Sequence, residues 1–436
     1  MTLNDTDVRA VLHRATDHLS SPDGLVEGVR RGGRRRVARR RLLAGGLAVV
    51  TAASVAGVLQ FSGTGDERID VASPLFDEPT RGDLARDPAF LREVTDAWRG
   101  ATENAELWLR GEPHVVWAGN TPKGKAAYVA QRSLDNPVVV QPEGERLIGY
   151  AGFVVPTANG LRVLTFEQFH DSGNLDGNSQ AVLLGPDRDT LLVLDFGHPV
   201  EYSPSMSYAP DGRIVRQRLP VTFRDGAASL PVPPQLTKVT IAVGRAPMSV
   251  DSRIHVVNEN EILFPDGKER PEPRRFDYVL PGADRAWGAA VAPTAWPPGA
   301  VAALAPFLDS IGTHVVDPEA PDLTVFGATP DGRRLLVSTI QYDDDPGHAV
   351  AMLGRGESEY PVVATQPVDW AEPLPVRLRL PDEQGTLVAA PEAKLEYRTG
   401  ASGTWLDAGR GAALLPAGAT DVRVTPASGV ARTVRL

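Results

Sequence analysis

Residues 42–61, LLAGGLAVVTAASVAGVLQF, run without a single charge. A helix needs about twenty such residues to cross the roughly 30 Å of hydrocarbon in a bilayer, so the stretch predicts a transmembrane helix. Arg34, Arg35, Arg36, Arg39, Arg40 and Arg41 stand before it, whereas Asp66, Glu67 and Asp70 follow it. Basic residues stay on the cytoplasmic side. The expectation is a single-pass cell-membrane protein with residues 1–41 in the cytoplasm, 42–61 in the bilayer and the rest outside.

Two other readings of this region remain open. The arginines are also a dense electrostatic footprint for nucleic acid, but they abut the hydrophobic stretch and the rest of the chain is acidic, so no nucleic-acid partner is expected. Arg39-Arg40-Arg41-Leu42-Leu43 also resembles a twin-arginine start, and Ser54-Val55-Ala56 offers small residues for cleavage. Upstream, Val8, Val11, Leu12, Ala15 and Leu19 recur at helical spacing behind a cap at Asp5 or Thr6. A short amphipathic helix over residues 5–20 would lie on the inner membrane face, dock on a cytoplasmic protein or fray alone.

The chain has 436 residues, no cysteine and a net charge of -10. Without sulfur from cysteine there is no disulfide framework, thiolate zinc site or thiol nucleophile. Glycine (42) and proline (38) favour turns over long helices. The expected fold class is mainly β (α+β).

Internal similarity divides the part beyond the hydrophobic stretch. Val115 to Lys125, VVWAGNTPKGK, matches Leu323 to Arg333, LTVFGATPDGR, without a gap. Ala181-Val182 matches Ala349-Val350, His198 to Tyr202 matches Gln366 to Trp370, and Val221 to Ala227 matches Leu395 to Ala401. The shifting offset places extra residues between Tyr128 and Ala181. A stretch of helical character precedes each first block: Ala89 to Glu103 with Phe90, Val94 and Trp98, and Gly299 to Ile311 with Val301, Leu304, Ala305 and Leu308. This predicts a linker over 62–83, a first extracytoplasmic repeat over 84–245, a Pro-rich linker over 246–285 and a second repeat over 286–436. Each repeat is expected to hold a short helix, antiparallel hairpins and a β-sandwich-like end. Pro-Asp-Gly turns recur, as in propellers, but the matched blocks lie too far apart to be blades.

Catalytic motifs are marked by the spacing their chemistry demands. Gly400-Ala401-Ser402-Gly403 does not have the spacing of a nucleophile elbow. No phosphate loop, His-Glu-x-x-His pair or dinucleotide fingerprint occurs. No cofactor is expected, and a non-enzymatic binding or sensing protein with an unknown extracytoplasmic ligand is the leading reading. An exported enzyme or carbohydrate-binding protein, its site built from distant residues, is the alternative. The histidines are too dispersed for a local ligand pair and read as polar turn residues. Oxygen-rich loops at Asp171, Asn174 and Asp176 and at Asp343, Asp344 and Asp345 are candidate Ca²⁺ ligands, or else solvated Asx turns.

The N-terminal helix Val8 to Ala15, the arginine run, the Ala/Gly/Val-rich span and strings such as Val116-Trp117-Ala118-Gly119 together resemble a group of actinobacterial single-pass membrane proteins of unknown function. Some of that group resemble membrane partners of extracytoplasmic-function sigma factors. The resemblance implies a regulatory role for the N-terminal helix, although the His-x-x-x-Cys-x-x-Cys motif of one large anti-sigma class is absent.

Overall fold

The computed structural model describes residues 74–103, 105, 107–133, 147–164, 166–170, 180–268, 271–288, 296–314 and 320–436. The amphipathic segment, the arginines Arg34 to Arg41, residues 42–61 and Asp171, Asn174 and Asp176 lie outside them. Among the described residues no helix is long and apolar enough to cross a membrane. All of them belong to one compact unit, and it is mainly β.

After α1 (Pro74–Asp77) comes α2 (Pro88–Thr102), which starts where Asp87 accepts hydrogen bonds from the backbone of Ala89 and Phe90, both at 3.1 Å. Its stripe of Phe90, Val94 and Trp98 is buried as the spacing predicts. That stripe covers one face of an antiparallel sheet made by β1 (His114–Thr121), β2 (Gly124–Arg132), β3 (Leu147–Thr157), β4 (Gly160–Val163) and β5 (Glu167–His170). Alternation then sorts the strands: Ala127 and Val129 face α2, while Ala126, Tyr128 and Ala130 enter the core on the other side.

That second core is closed by β6 (Ala181–Leu184) and β7 (Thr190–Leu194), every residue of which is buried. Val182, Leu184, Leu192 and Leu194 pack toward the first sheet, and Ala181, Leu183, Leu191 and Val193 toward a further layer. The continuous apolar runs follow from burial on both faces. β8 (Val200–Ser203), β9 (Met206–Tyr208), β10 (Ile214–Arg216), β11 (Leu219–Pro220), β12 (Ala227–Pro231) and β13 (Ala242–Arg245) complete three small sheets, ordered β12-β7-β6, β11-β8-β13 and β10-β9.

The segment 246–285, expected as a linker, is part of the fold. Met248, Ile254, Val256, Ile262, Leu263 and Leu280 are buried, α3 (Glu259–Leu263) sits within it, and β14 (Arg275–Val279) runs parallel to β15 (Asp322–Ala328). Its prolines fall between these pieces, where turns are needed.

The second half follows a similar order. After α4 (Asp284–Trp287), α5 (Pro298–Leu304) covers a sheet ordered β14-β15-β16-β17-β18, which adds β16 (Arg334–Ile340), β17 (Gly347–Gly354) and β18 (Val362–Val368). The buried stripe here is Ala300, Leu304 and Phe307 rather than Val301, Ala305 and Leu308. Past Leu304 the chain tightens into a 3₁₀ turn over Ala305–Phe307 that contains Pro306, which brings Phe307 rather than Leu308 onto the buried face. The opposite face, with Val325, Leu335, Val337 and Ala351, packs on β19 (Val376–Arg379) and β20 (Thr386–Arg398). β21 (Leu406–Leu415), β22 (Asp421–Thr425) and β23 (Arg432–Arg435) finish that last sheet.

Of the matched blocks, the first holds its place in both halves: β1–β2 and β15–β16 are hairpins closed by Thr121 to Gly124 and by Thr329 to Gly332. In the second, the Thr329 carbonyl accepts from Gly332 at 2.9 Å, with Gly332 at φ 82. The later blocks do not coincide. Ala181-Val182 lies in β6, away from β2, whereas Ala349-Val350 lies in β17, paired directly with β16. The strand that pairs with β2 is β3, within the residues that looked like an insertion. Short apolar strings match one another readily because every strand alternates with the same period; the ungapped turn is the specific part of the signal.

Candidate functional site

Asp343, Asp344 and Asp345 sit in the turn before β17. Lys238 reaches them from the first half, its Nζ 2.9 Å from Asp344 Oδ1 and 2.5 Å from Asp345 Oδ1. Burial works against the Lys238 ammonium, but its hydrogen bonds to Asp345 and Asp344 outweigh this and raise its pKa. The Tyr208 hydroxyl donates to Asp345 Oδ2 at 3.0 Å. Two of this loop's three candidate Ca²⁺ ligands therefore hold a lysine. Among the described residues no group of three or more His, Asp or Glu side chains is placed to hold a metal ion.

This turn is one end of a polar seam carried by the β9–β10 hairpin. Tyr208 stacks on His348 with ring centroids 5.3 Å apart, and His348 is a buried strand residue rather than the polar turn histidine expected from sequence. At the other end Arg216 Nε donates to Asp309 Oδ1 at 2.7 Å, its Nη2 donates to Asp309 Oδ2, and its Nη1 donates to the Thr240 carbonyl at 2.7 Å. His314 Nε2 also donates to Asp309, while its ring stacks on Tyr342 at 4.6 Å. Burial alone would raise the Asp309 pKa; the His314 and Arg216 donors reverse that and bring it to about 2. Burial pushes Tyr342 up to about 12, against a hydrogen bond with the Asp309 backbone that works the other way. Arg253, Thr313 and Glu259 repeat the pattern nearby: Thr313 donates to Glu259 at 2.7 Å and Arg253 donates to Thr313.

The seam is densely satisfied and joins residues far apart in sequence. Its geometry is that of a fastening. No serine, threonine or lysine nucleophile is paired with His314 in it among the described residues, so a hydrolytic triad is not assembled there.

A different arrangement occurs in the first half. A cleft of about 670 Å³ opens between the β3–β4 hairpin, the β6–β7 turn and α3. β6 is an edge strand, and the Asn258 side chain pairs with it as a backbone neighbour would, accepting from Leu183 N at 3.1 Å and donating to Leu183 O at 2.9 Å. That clamp places Glu261, one turn further along, over the cleft. Arg162 from β4 and Arg188 from the β6–β7 turn both face Glu261, at 3.9 and 3.5 Å. Lys123, from the β1–β2 turn, is clasped by Asp189 at 2.7 and 2.9 Å, which holds Asp189 below the usual carboxylate range. Val155, Pro156, Leu164, Leu184 and Pro186 supply apolar walls.

None of the cleft's charged residues was singled out in the sequence. Arg162, Arg188 and Glu261 are separated by long stretches and belong to no motif; only the folding of β4, the β6–β7 turn and α3 around β6 brings them together. No protein-family model matches the chain, and no curated protein matches it.

Proposed function

We propose that the chain is a single-pass membrane protein, N-terminus in the cytoplasm, whose extracytoplasmic β-rich part binds a small ligand in the cleft beneath Arg162, Arg188 and Glu261. The cleft carries the binding half of this reading. Its volume falls in the range of small-molecule sites, and it combines apolar walls with a few convergent charges. The membrane half rests on the uncharged residues 42–61 and the arginines before them. Residues 5–20 are then the end that meets a cytoplasmic protein, and signalling through them is the purpose assigned to ligand occupancy.

The outer part is read as two related domains. Support comes from the shared layering, helix on sheet on sheet, with α2 and β1–β3 in one half answering α5 and β15–β17 in the other.

Fractionation of cells expressing the full chain, with mass spectrometry of its N-terminus, tests the topology. The expected result is an intact N-terminus in the membrane fraction and external protease access to residues beyond 62. A soluble product beginning near Gly57 overturns the anchor and the signalling role together.

A further inference from the structure

The ionic end of the cleft is not balanced. Two guanidiniums share one carboxylate, and among the described residues neither Arg162 nor Arg188 donates a side-chain hydrogen bond. Their separations from Glu261, 3.9 and 3.5 Å, are those of ion pairs, which leaves the N–H forks unused. At the other end Lys123 and Asp189 neutralise each other. The cleft therefore holds one surplus positive charge in a chain whose net charge is -10.

Arginine forks match a planar anion, which accepts two parallel hydrogen bonds. Arg188 is well placed for this: it is held at φ 49 in the β6–β7 turn, and its side chain is 24% exposed against 57% for Arg162. Beyond the charges, Pro156, Leu164, Leu184 and Pro186 form a surface that would strip water from an apolar body.

We propose that the cleft binds a small amphipathic monocarboxylate, its carboxylate held by Arg188 and Arg162 and its apolar body lying between Pro156 and Leu184. One negative charge completes the cluster, so a monoanion fits where a phosphate dianion would overshoot. Glu261 sets the charge of the ligand by cancelling half of the guanidinium pair. This inference rests on the cleft being a binding site and adds the chemistry of what it takes.

The test is calorimetric titration of the purified full-length protein with 3-phenylpropanoate and, in parallel, with the neutral amide of the same shape. The carboxylate is expected to bind at least about tenfold more tightly than the amide. Arg188→Gln and Arg162→Gln should remove that preference while the thermal melt stays cooperative, Arg377→Gln should leave it intact, and Glu261→Gln should tighten carboxylate binding. Equal binding of acid and amide, or a preference that survives Arg188→Gln, overturns the anion proposal and leaves the cleft as a binding site. Binding of neither compound at millimolar concentration overturns both.

Discussion

Arg216 and Asp309 meet as a two-pronged ion pair whose side chains are only 4% and 2% exposed, although 93 positions separate them in the chain. A buried pair of this kind is expensive to break from one side, because the surviving charge has no water to return to. Arg216→Ala is expected to cost about 3–5 kcal/mol. The double variant Arg216→Met/Asp309→Leu should recover only part of that loss, because it also leaves the buried His314 Nε2 without its acceptor, and urea denaturation of the three proteins measures both numbers.

The same carboxylate makes the fold acid-sensitive. Its pKa falls from the ordinary 3.8 to about 2 in the folded protein, so its stabilising contribution is complete above about pH 4 and is lost as pH falls toward 2. On the order of 2 kcal/mol is at stake. Asp309→Asn removes this titration, and denaturation midpoints followed from pH 6 to pH 2.5 should then converge with wild type at the acid end.

Among the described residues the Tyr128 hydroxyl is buried with no hydrogen-bond partner. Its ring packs edge-on against Phe153 at 4.8 Å, so the ring is what the core uses. Tyr128→Phe should leave stability unchanged or raise it by about 1 kcal/mol, since a desolvated hydroxyl without a partner is a cost. A thermal melt lowered by several degrees would refute this.

Trp98 offers the opposite case. Its Nε1 donates to Gln131 Oε1 at 2.8 Å inside the first core, and Gln131 in turn donates to the Gly111 carbonyl at 2.7 Å. Trp98→Phe should cost more than Tyr128→Phe, at least about 1–3 kcal/mol, because it leaves the buried amide oxygen of Gln131 without this donor and also empties the space of the indole's second ring; urea denaturation of the two variants measures the difference.

Gly82 has φ 100, and a Cβ there would lie 2.0 Å from the Ala118 carbonyl oxygen. The backbone on which it sits hydrogen-bonds to β1 on both sides, through Arg81 N to Val116 O and Leu84 N to Ala118 O. Gly82→Ala should therefore detach this segment from β1 and lower the unfolding midpoint more than Gly111→Ala, where φ is also positive but nothing lies near.

Local patterns were legible where one segment settles its own structure. The Phe90, Val94, Trp98 stripe and the Thr329 to Gly332 turn are of this kind, because helical spacing and a glycine at positive φ act over a few residues. The Asp343 to Asp345 loop was legible as a cluster of oxygens but not as what it does: Lys238, more than a hundred positions earlier, decides that. His348 misled in the same way, since a histidine in a polar string looks like a turn residue until a tyrosine from another hairpin stacks on it.

Composition, turn chemistry and the hydrophobic period thus determined a β-rich chain with short helices over its sheets, because these properties act through neighbouring residues. The pairing of β3 with β2, the engagement of Asp309 by Arg216, and the convergence of Arg162 and Arg188 on Glu261 were decided only by tertiary structure. A strand's alternation specifies which face is buried and leaves open which strand lies beside it; a charge specifies that it needs a partner and leaves open which one. Both choices are made by the packing of the whole core.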